Sequence, residues 1–398
     1  MESLKIHNDK LSIITYNCMS YVGPPLRYNG GKERMKRLAS SLYSSHPRSK
    51  DADVIFFQEL EYHDSEVLNR LTHQPYHTPA VYSSLYSSLP RFMGSGLRIA
   101  SKTPITRSAD HVFTCDTYNF EKLVAKAVVY AQIGQIHVFN THLCAWPGHE
   151  AVRIRNQQFV QLTDFIQRQQ IPRTEYVFVG GDLNISAYEF PSISKQLASE
   201  MDIYFPIPRF PVFSVDPQSN TLTGNDAIGE YQIVGSDTTL QEMMAYYRKI
   251  GRCLQAPSQL LDCVGYHQNY AKPTWISTEV IHCKSKYPFA LRYSLLDTRL
   301  SRDISDHYPV ITHWNCPGIR FGGRDDSVVK DLNFKDVNIE CSRIHVKGIN
   351  TSPYVILMHL VIGIFVFIVL LSLYASIRII VMRSHGWAAG GHVGGAGN

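Results

Sequence analysis

Several things are missing from the 398-residue sequence, and each absence narrows it. Its 8 cysteines (Cys18, Cys115, Cys144, Cys253, Cys263, Cys283, Cys316 and Cys341) form no CxxC pair and no zinc-like ligand cluster. Scattered in this way they read as free thiols in a reducing compartment, since disulfides would need an extracellular setting. No charge of one sign dominates: 39 Lys and Arg against 34 Asp and Glu leave a net charge of +5. That suits an anionic substrate or a membrane surface and is too weak to argue for nucleic acid alone. The N-terminus has no leader pattern, because residues 1–9 are polar and the apolar run 11–14 is too short for a signal h-region. No internal repeat is visible. What is present, 44% hydrophobic residues with 23 Tyr and 18 Phe, is enough for a substantial core and excludes global disorder.

One long apolar run stands out. Residues 355–377 are 23 positions without Asp, Glu, Lys or Arg. As a helix they span roughly 35 Å, against about 30 Å for a bilayer's hydrocarbon core. His359 is the polar intruder near its start. Arg343 and Lys347 precede the run and Arg378 and Arg383 follow it, so flanking charge does not set its orientation. The expected organisation is one domain over 8–314, a juxtamembrane stalk over 315–354, a transmembrane helix over 355–382 and a Gly-rich tail over 383–398. A chain of this design resembles a tail-anchored protein, single-pass near its C-terminus with the catalytic domain facing the cytosol. The sequon Asn184-Ile185-Ser186 agrees with that side, since a glycan there would sit on a candidate site residue.

Within the domain, short apolar runs predict strands over 11–16, 54–58, 96–100, 124–132, 136–141, 176–180, 259–264 and 310–313. Helical periodicity falls over 32–44, 65–71, 149–169 and 189–197. Strands interleaved with helices predict α/β layers, and such sheets place their sites at strand ends.

Four of those strand ends carry a matched chemical set. They are Ile14-Thr15-Tyr16-Asn17, Phe56-Phe57-Gln58-Glu59, Asn140-Thr141-His142 and Gly180-Gly181-Asp182-Leu183-Asn184; Ser305-Asp306-His307-Tyr308-Pro309 then precedes the last strand. Singly each has a bland reading: a surface acid at Glu59, a helix N-cap at Asn184, a satisfied core histidine at His142. Together, in one order and all at strand ends, they predict a single polar site.

The order Asn, Glu, His, GDxN, SDH resembles the DNase I-like endonuclease/exonuclease/phosphatase superfamily over residues 11–313. The resemblance implies a four-layer α/β sandwich with the site at one edge of two packed sheets. It implies Mg²⁺, with Mn²⁺ an alternative, held by Glu59 with the Asn17 amide oxygen assisting. A hard cation that prefers oxygen ligands suits the charge of a phosphodiester. It implies His307 as general base, Asp306 orienting the site or contributing to metal binding, and Asp182 positioning the attacking water. Asn184 then donates to phosphoryl oxygens, His142 stabilises charge developing in the transition state, and Asp262 orients the catalytic histidine. Cys263 departs from the family pattern, which has Tyr there.

Three segments are similar to the neutral sphingomyelinase branch: 213–222 with its SVDPQSN core, Thr141-His142-Leu143-Cys144-Ala145 followed by Arg153, Arg155 and Gln157, and Ser95-Gly96-Leu97 through Ser101-Lys102-Thr103-Pro104-Ile105. Lys102 lacks a GxxxxGK[ST] frame and reads equally as a strand-end lysine. Residues 229–257, with a helical pattern over 239–250, lengthen one connection relative to the bacterial pattern, and the aromatic stretch 203–213 suits lipid contact or core packing. The leading expectation is hydrolysis of sphingomyelin or a related phosphosphingolipid, at a membrane and with no stable nucleic acid partner. The alternatives are a phosphoinositide phosphatase, a nuclease, or a catalytically silent membrane adaptor. The sequence leaves oligomeric state open.

Overall fold

The computed structural model describes residues 9–20, 31–45, 47–61, 63–82, 93–115, 121, 124–145, 149–185, 190–206, 214–215, 261–292, 298–303, 305–319 and 321. The chain divides into two units, residues 1–325 and 326–398. The second lies outside the described residues, as do the apolar run 355–377 and the helical pattern 239–250. No helix among the described residues is long and apolar enough to cross a membrane.

The first unit is built on two six-stranded sheets. Its strands are β1 (Lys10–Asn17), β2 (Val54–Gln58), β3 (Tyr76–His77), β4 (Arg98–Ser101), β5 (Arg107–Val112), β6 (Ala127–Ile133), β7 (Ile136–His142), β8 (Tyr176–Asp182), β9 (Ile203–Tyr204), β10 (Asp262–His267), β11 (Thr274–Val280), β12 (Lys284–Arg292), β13 (Thr298–Asp303) and β14 (Val310–Asn315). The first sheet runs β11-β14-β1-β2-β4-β3 and the second β5-β6-β7-β8-β10-β9, while β12 and β13 pair as a separate hairpin. Both sheets are mixed: β1 is parallel to β2 and antiparallel to β14, and β7 is parallel to β8, which is antiparallel to β10.

Strand alternation separates the layers. Leu11 and Ile13 of β1 with Val54 and Phe56 of β2 pack inward against Ala127, Val129, Val138 and Phe178 of the second sheet. Ile14, Tyr16, Ile55 and Phe57 point outward and are covered by Met35, Leu38, Ala39 and Leu42 of α1 (Gly31–Ser45), with Val67 and Leu68 of α2 (Asp64–Leu68). Residues 35, 38, 39 and 42 are the spacing of one helix face. On the other side, Phe159, Leu162, Phe165 and Ile166 of α3 (His149–Arg168) and Leu197 of α4 (Phe190–Glu200) cover Tyr130, Phe139, Val177 and Val179. Helix, sheet, sheet, helix is the four-layer sandwich the resemblance implies.

Two polar residues on the buried face of α3 serve the site end. Arg155 Nη1 donates to Cys144 O at 3.1 Å, and Gln158 Oε1 accepts Cys144 N–H at 2.8 Å. The neighbours singled out in the sequence, Arg153 and Gln157, lie on the exposed side, Arg153 paired with Glu150. The domain also runs past residue 314, where the sequence places the start of a stalk. Asn315 still pairs in β14, Cys316 N–H donates to Asp9 O at 2.6 Å, and Cys316 and Ile319 are buried.

Candidate active site

The same alternation that fills the core delivers the polar set. Thr15 and Asn17 continue the inward face of β1, Gln58 that of β2, Asn140 and His142 that of β7, and Asp182 that of β8. The apolar material between the sheets therefore gives way to polar groups at one end. Thr15 Oγ1 donates to Gln58 Oε1 at 3.3 Å, and Gln58 Nε2 donates across the sheets to Asn140 Oδ1 at 2.7 Å. Asn140 Nδ2 returns to Phe57 O at 2.8 Å and Arg98 O at 2.9 Å. Gln58 and Asn140 appear in the sequence motifs without a role. Their signal was position on the inward face near a strand end, Gln58 closing β2 and Asn140 two residues before the end of β7.

Beyond this bridge the carboxylates gather. Asn17 Nδ2 donates to Glu59 Oε1 at 3.0 Å and to Asp182 Oδ2 at 2.9 Å, while its Oδ1 accepts Met19 N–H at 3.0 Å. Glu59 sits just past β2 with φ 53°, in the left-handed region, and Gly96 packs on its main chain so closely that a Cβ on Gly96 would lie 2.8 Å from Glu59 Cα. Burial, then the charge of Asp306, pushes the Glu59 carboxyl up to about 7. Burial and the charge of Asp262 likewise raise Asp182. Asn184 also has a left-handed backbone, φ 52°. Its N–H is taken by Asp182 Oδ1 at 3.0 Å, and its Nδ2 donates to Leu143 O at 3.0 Å. His142 places Nε2 3.6 Å from Asp182 Oδ2 and 4.0 Å from Glu59 Oε1. Burial, then the positive fields of Lys126 and His307, hold this imidazole well below the usual histidine range, so it is neutral. Its Nδ1 is buried with no hydrogen-bond partner.

The last pieces are Asp262 and His307. Asp262 opens β10 directly opposite Asp182, and its Oδ2 accepts His307 Nδ1–H at 2.6 Å. His307 Nε2 then lies 3.9 Å from Asp182 Oδ2. Burial disfavours the imidazolium, but the charges of Asp262 and Asp306, the Asp262 hydrogen bond and Asp182 outweigh it and raise His307 well above its ordinary value. Two serines hold the pair. Ser214 Oγ accepts the N–H groups of Leu261 at 3.1 Å and Asp262 at 3.3 Å, and Ser214 O accepts Tyr308 N–H at 2.6 Å. Ser305 Oγ lies 2.7 Å from Asn17 O and 3.1 Å from Asp306 Oδ1 and accepts His307 N–H at 3.3 Å. The structure thus brings Asn17, Glu59, His142, Asp182, Asn184, Asp262, Asp306 and His307 to one end of the sandwich. Lys126 joins them without a sequence signal: it is buried, donates Nζ to Leu143 O at 2.9 Å and pairs with Glu121 at 2.5 Å.

A divalent cation fits the acidic side. Glu59 is a carboxylate held away from water beside Asp306, and a hard cation would relieve the repulsion that raises its pKa. Asp182, Asp262 and His307 also offer ligand atoms within 4.8 Å of one another. Two of those residues, however, are already joined by the hydrogen bond from His307 Nδ1 to Asp262 Oδ2. That pairing suits the trio to proton handling, and Glu59 is the further carboxylate that could hold the cation.

Comparison with known proteins agrees with this fold. The endonuclease/exonuclease/phosphatase family model matches residues 14–332. Sphingomyelinase C of Bacillus cereus is 25% identical over 336 residues, covering 76% of this chain and 88% of that protein. The crystal structure of SmcL superposes with a TM-score of 0.58 at 23% identity, over 77% of this chain and 99% of that one. A mutant beta toxin from Staphylococcus aureus, crystallised with bound magnesium ions, gives a TM-score of 0.57 at 23% identity, over 76% and 99%. The chain belongs to the endonuclease/exonuclease/phosphatase family and is an enzyme of it.

Proposed function

We propose that this protein is a Mg²⁺-dependent phosphodiesterase that hydrolyses sphingomyelin, or a related phosphosphingolipid, to ceramide and a phosphorylated headgroup. The observation that carries the reading is the Asp262–His307 pair, 2.6 Å apart, facing Asp182 with Glu59 on the far side of it. A proton acceptor and a cation-binding carboxylate thus flank one small volume, as in-line displacement at phosphorus requires. Glu59 would hold Mg²⁺, or Mn²⁺ in its place. When bound, the cation supplies charge neutralisation, both of the phosphoryl oxygens and of the carboxylate field that keeps His307 protonated.

The chain's own groups do the rest. His307 Nε2 takes a proton from the attacking water as its oxygen bonds to phosphorus, while Asp262 fixes the ring and stabilises the imidazolium. Asp182 orients that water. His142 and the second Nδ2 hydrogen of Asn184 donate to phosphoryl oxygens as their charge grows. The phosphorus–oxygen bond to ceramide breaks, the ceramide alkoxide takes a proton from solvent water, and His307 gives its proton back to solvent. The name of the Bacillus cereus relative supports the choice of lipid, and the magnesium of the beta toxin structure supports the choice of cation. The apolar run 355–377 fits the reading as a membrane anchor that keeps a cytosolic catalytic domain at its substrate, raising effective concentration.

The test is release of water-soluble headgroup from vesicles of sphingomyelin, inositol phosphosphingolipid, phosphatidylcholine or phosphoinositide at neutral pH, with Mg²⁺ or EDTA. Phosphocholine released from sphingomyelin only with Mg²⁺, and lost in His307→Ala, is the expected result. Release of free phosphate from the phosphoinositide, or nicking of plasmid in place of lipid cleavage, would overturn it.

A further inference from the structure

The functional reading uses no residue of α1, yet one side chain of that helix is built into the site's back wall. Arg34 is 1% exposed. Its Nη1 donates to Cys18 O at 2.8 Å and its Nη2 to Met19 O at 2.5 Å, so the guanidinium forks two successive carbonyls of the segment that leaves β1. That segment carries the cation end of the site. Met19 N–H fixes Asn17 Oδ1 at 3.0 Å, which turns the Asn17 NH₂ toward Glu59 and Asp182. Cys18 N–H donates to Gln58 O and Ser20 N–H to Glu59 O, each at 2.9 Å, so the same four residues also hold the main chain of Glu59. Met19 itself has φ 49°, a conformation that a non-glycine residue keeps only when its surroundings impose it.

We propose that Arg34 is a positioning residue for the cation site: its fork sets the turn at residues 18–19 and, through that turn, the Asn17 amide and the Glu59 carboxylate. The inference rests on the cation site of the proposed function. The charge of Arg34 also faces Glu59 and Asp306, so a purely electrostatic role is the rival explanation. The two roles differ in sign. Charge alone repels a cation, and its removal tightens binding; a lost fork loosens the ligand and weakens binding. Lysine separates them, since it keeps the charge and the stem but cannot fork two carbonyls in a fixed plane.

The experiment measures Mn²⁺ binding by electron paramagnetic resonance for wild type, Arg34→Lys, Arg34→Met and Glu59→Gln, together with thermal melting and kcat and KM on lipid vesicles. Both Arg34 variants should bind Mn²⁺ about 10-fold more weakly, the usual cost of removing a group that orients a metal ligand. They should lower kcat at limiting Mg²⁺ with KM for lipid unchanged. Arg34→Lys carries the test alone if the Met variant does not fold. Wild-type Mn²⁺ affinity in Arg34→Lys, tighter binding in Arg34→Met, or a lower melting point with unchanged binding would each overturn the inference while leaving the proposed function intact. Wild-type protein that binds no Mn²⁺, or Glu59→Gln that binds it normally, would overturn both.

Discussion

Replacing Asp262 with Asn probes the heart of the proposed chemistry, because it keeps the shape of a residue that is 0% exposed and removes its charge. In the native protein Asp262 Oδ2 accepts the His307 Nδ1 proton at 2.6 Å, which leaves Nε2 facing Asp182 and any bound water. When Nε2 takes a proton, the new imidazolium is stabilised by the Asp262 charge. For charge centres roughly 4 Å apart at an effective dielectric of about 20, that attraction is about 4 kcal/mol. At 1.36 kcal/mol per decade this is about a thousandfold in rate, inside the 10²–10⁴ range typical of general base catalysis. The expected outcome for Asp262→Asn is a kcat about a thousand times lower, little change in KM for vesicles and unchanged Mn²⁺ affinity at Glu59. The sign for titration follows from the same contact. Asp262 raises the His307 pKa, so its loss moves the acid limb of the metal-loaded rate profile toward lower pH. Steady-state rates from pH 5 to 9 with saturating Mg²⁺ would show it. A loss below tenfold, or an acid limb that does not move, would refute His307 as the base held by Asp262.

Three further outcomes follow from single contacts. The folded state binds the Glu59 proton more tightly than the unfolded chain, so in EDTA stability is lost as pH rises from 4.5 to about 7. Relative to Glu59→Gln, wild type should therefore lose up to about 3 kcal/mol across that window by urea denaturation, at about 1.36 kcal/mol per unit; parallel curves would contradict the raised carboxyl. Gly181 has φ +129°, and a Cβ there would lie 2.0 Å from Thr141 O, so Gly181→Ala should cost on the order of 3 kcal/mol or more in chemical denaturation. Gln58→Leu leaves Asn140 Oδ1 buried without its donor between the sheets and should cost about 1–3 kcal/mol, read as a lower melting point with Mg²⁺ affinity retained.

The parts of the fold that were legible in the sequence are those buried on both faces. β2 falls over 54–58, as its VIFFQ run predicts, and β1, β7 and β8 extend only to the polar residues that end them. Edge strands were not legible. β5 reads RSADHV and is largely exposed, since among the described residues it pairs only with β6 and its side chains need not be apolar. β11 sits at the other sheet's edge with an irregular register between Trp275 and Ser277, which breaks the alternation that would have announced it. The 96–100 run starts late, at Arg98, because Gly96 is spent on its left-handed turn over Glu59. At the site, the motifs exposed the residues that end strands. The SVDPQSN motif contains Ser214 but does not show that its hydroxyl and carbonyl tie Asp262 to the His307 loop, and no motif exposed Arg34 or Lys126, which donate to main-chain carbonyls. A carbonyl carries no side-chain signature, so its partner is invisible until the chain is folded. Nor does an asparagine in a motif say which end of its amide faces the carboxylates, and here it is the NH₂ of Asn17.

Hydrolysis of sphingomyelin vesicles in oxygen-18 water, with Mg²⁺ or with EDTA and products read by mass spectrometry, tests the central claim most directly. Attack by water on phosphorus with ceramide leaving predicts one oxygen-18 in phosphocholine, none in ceramide, and no product in EDTA. Label in a ceramide hydroxyl, label in free phosphate, or product formation undiminished by EDTA would contradict the account.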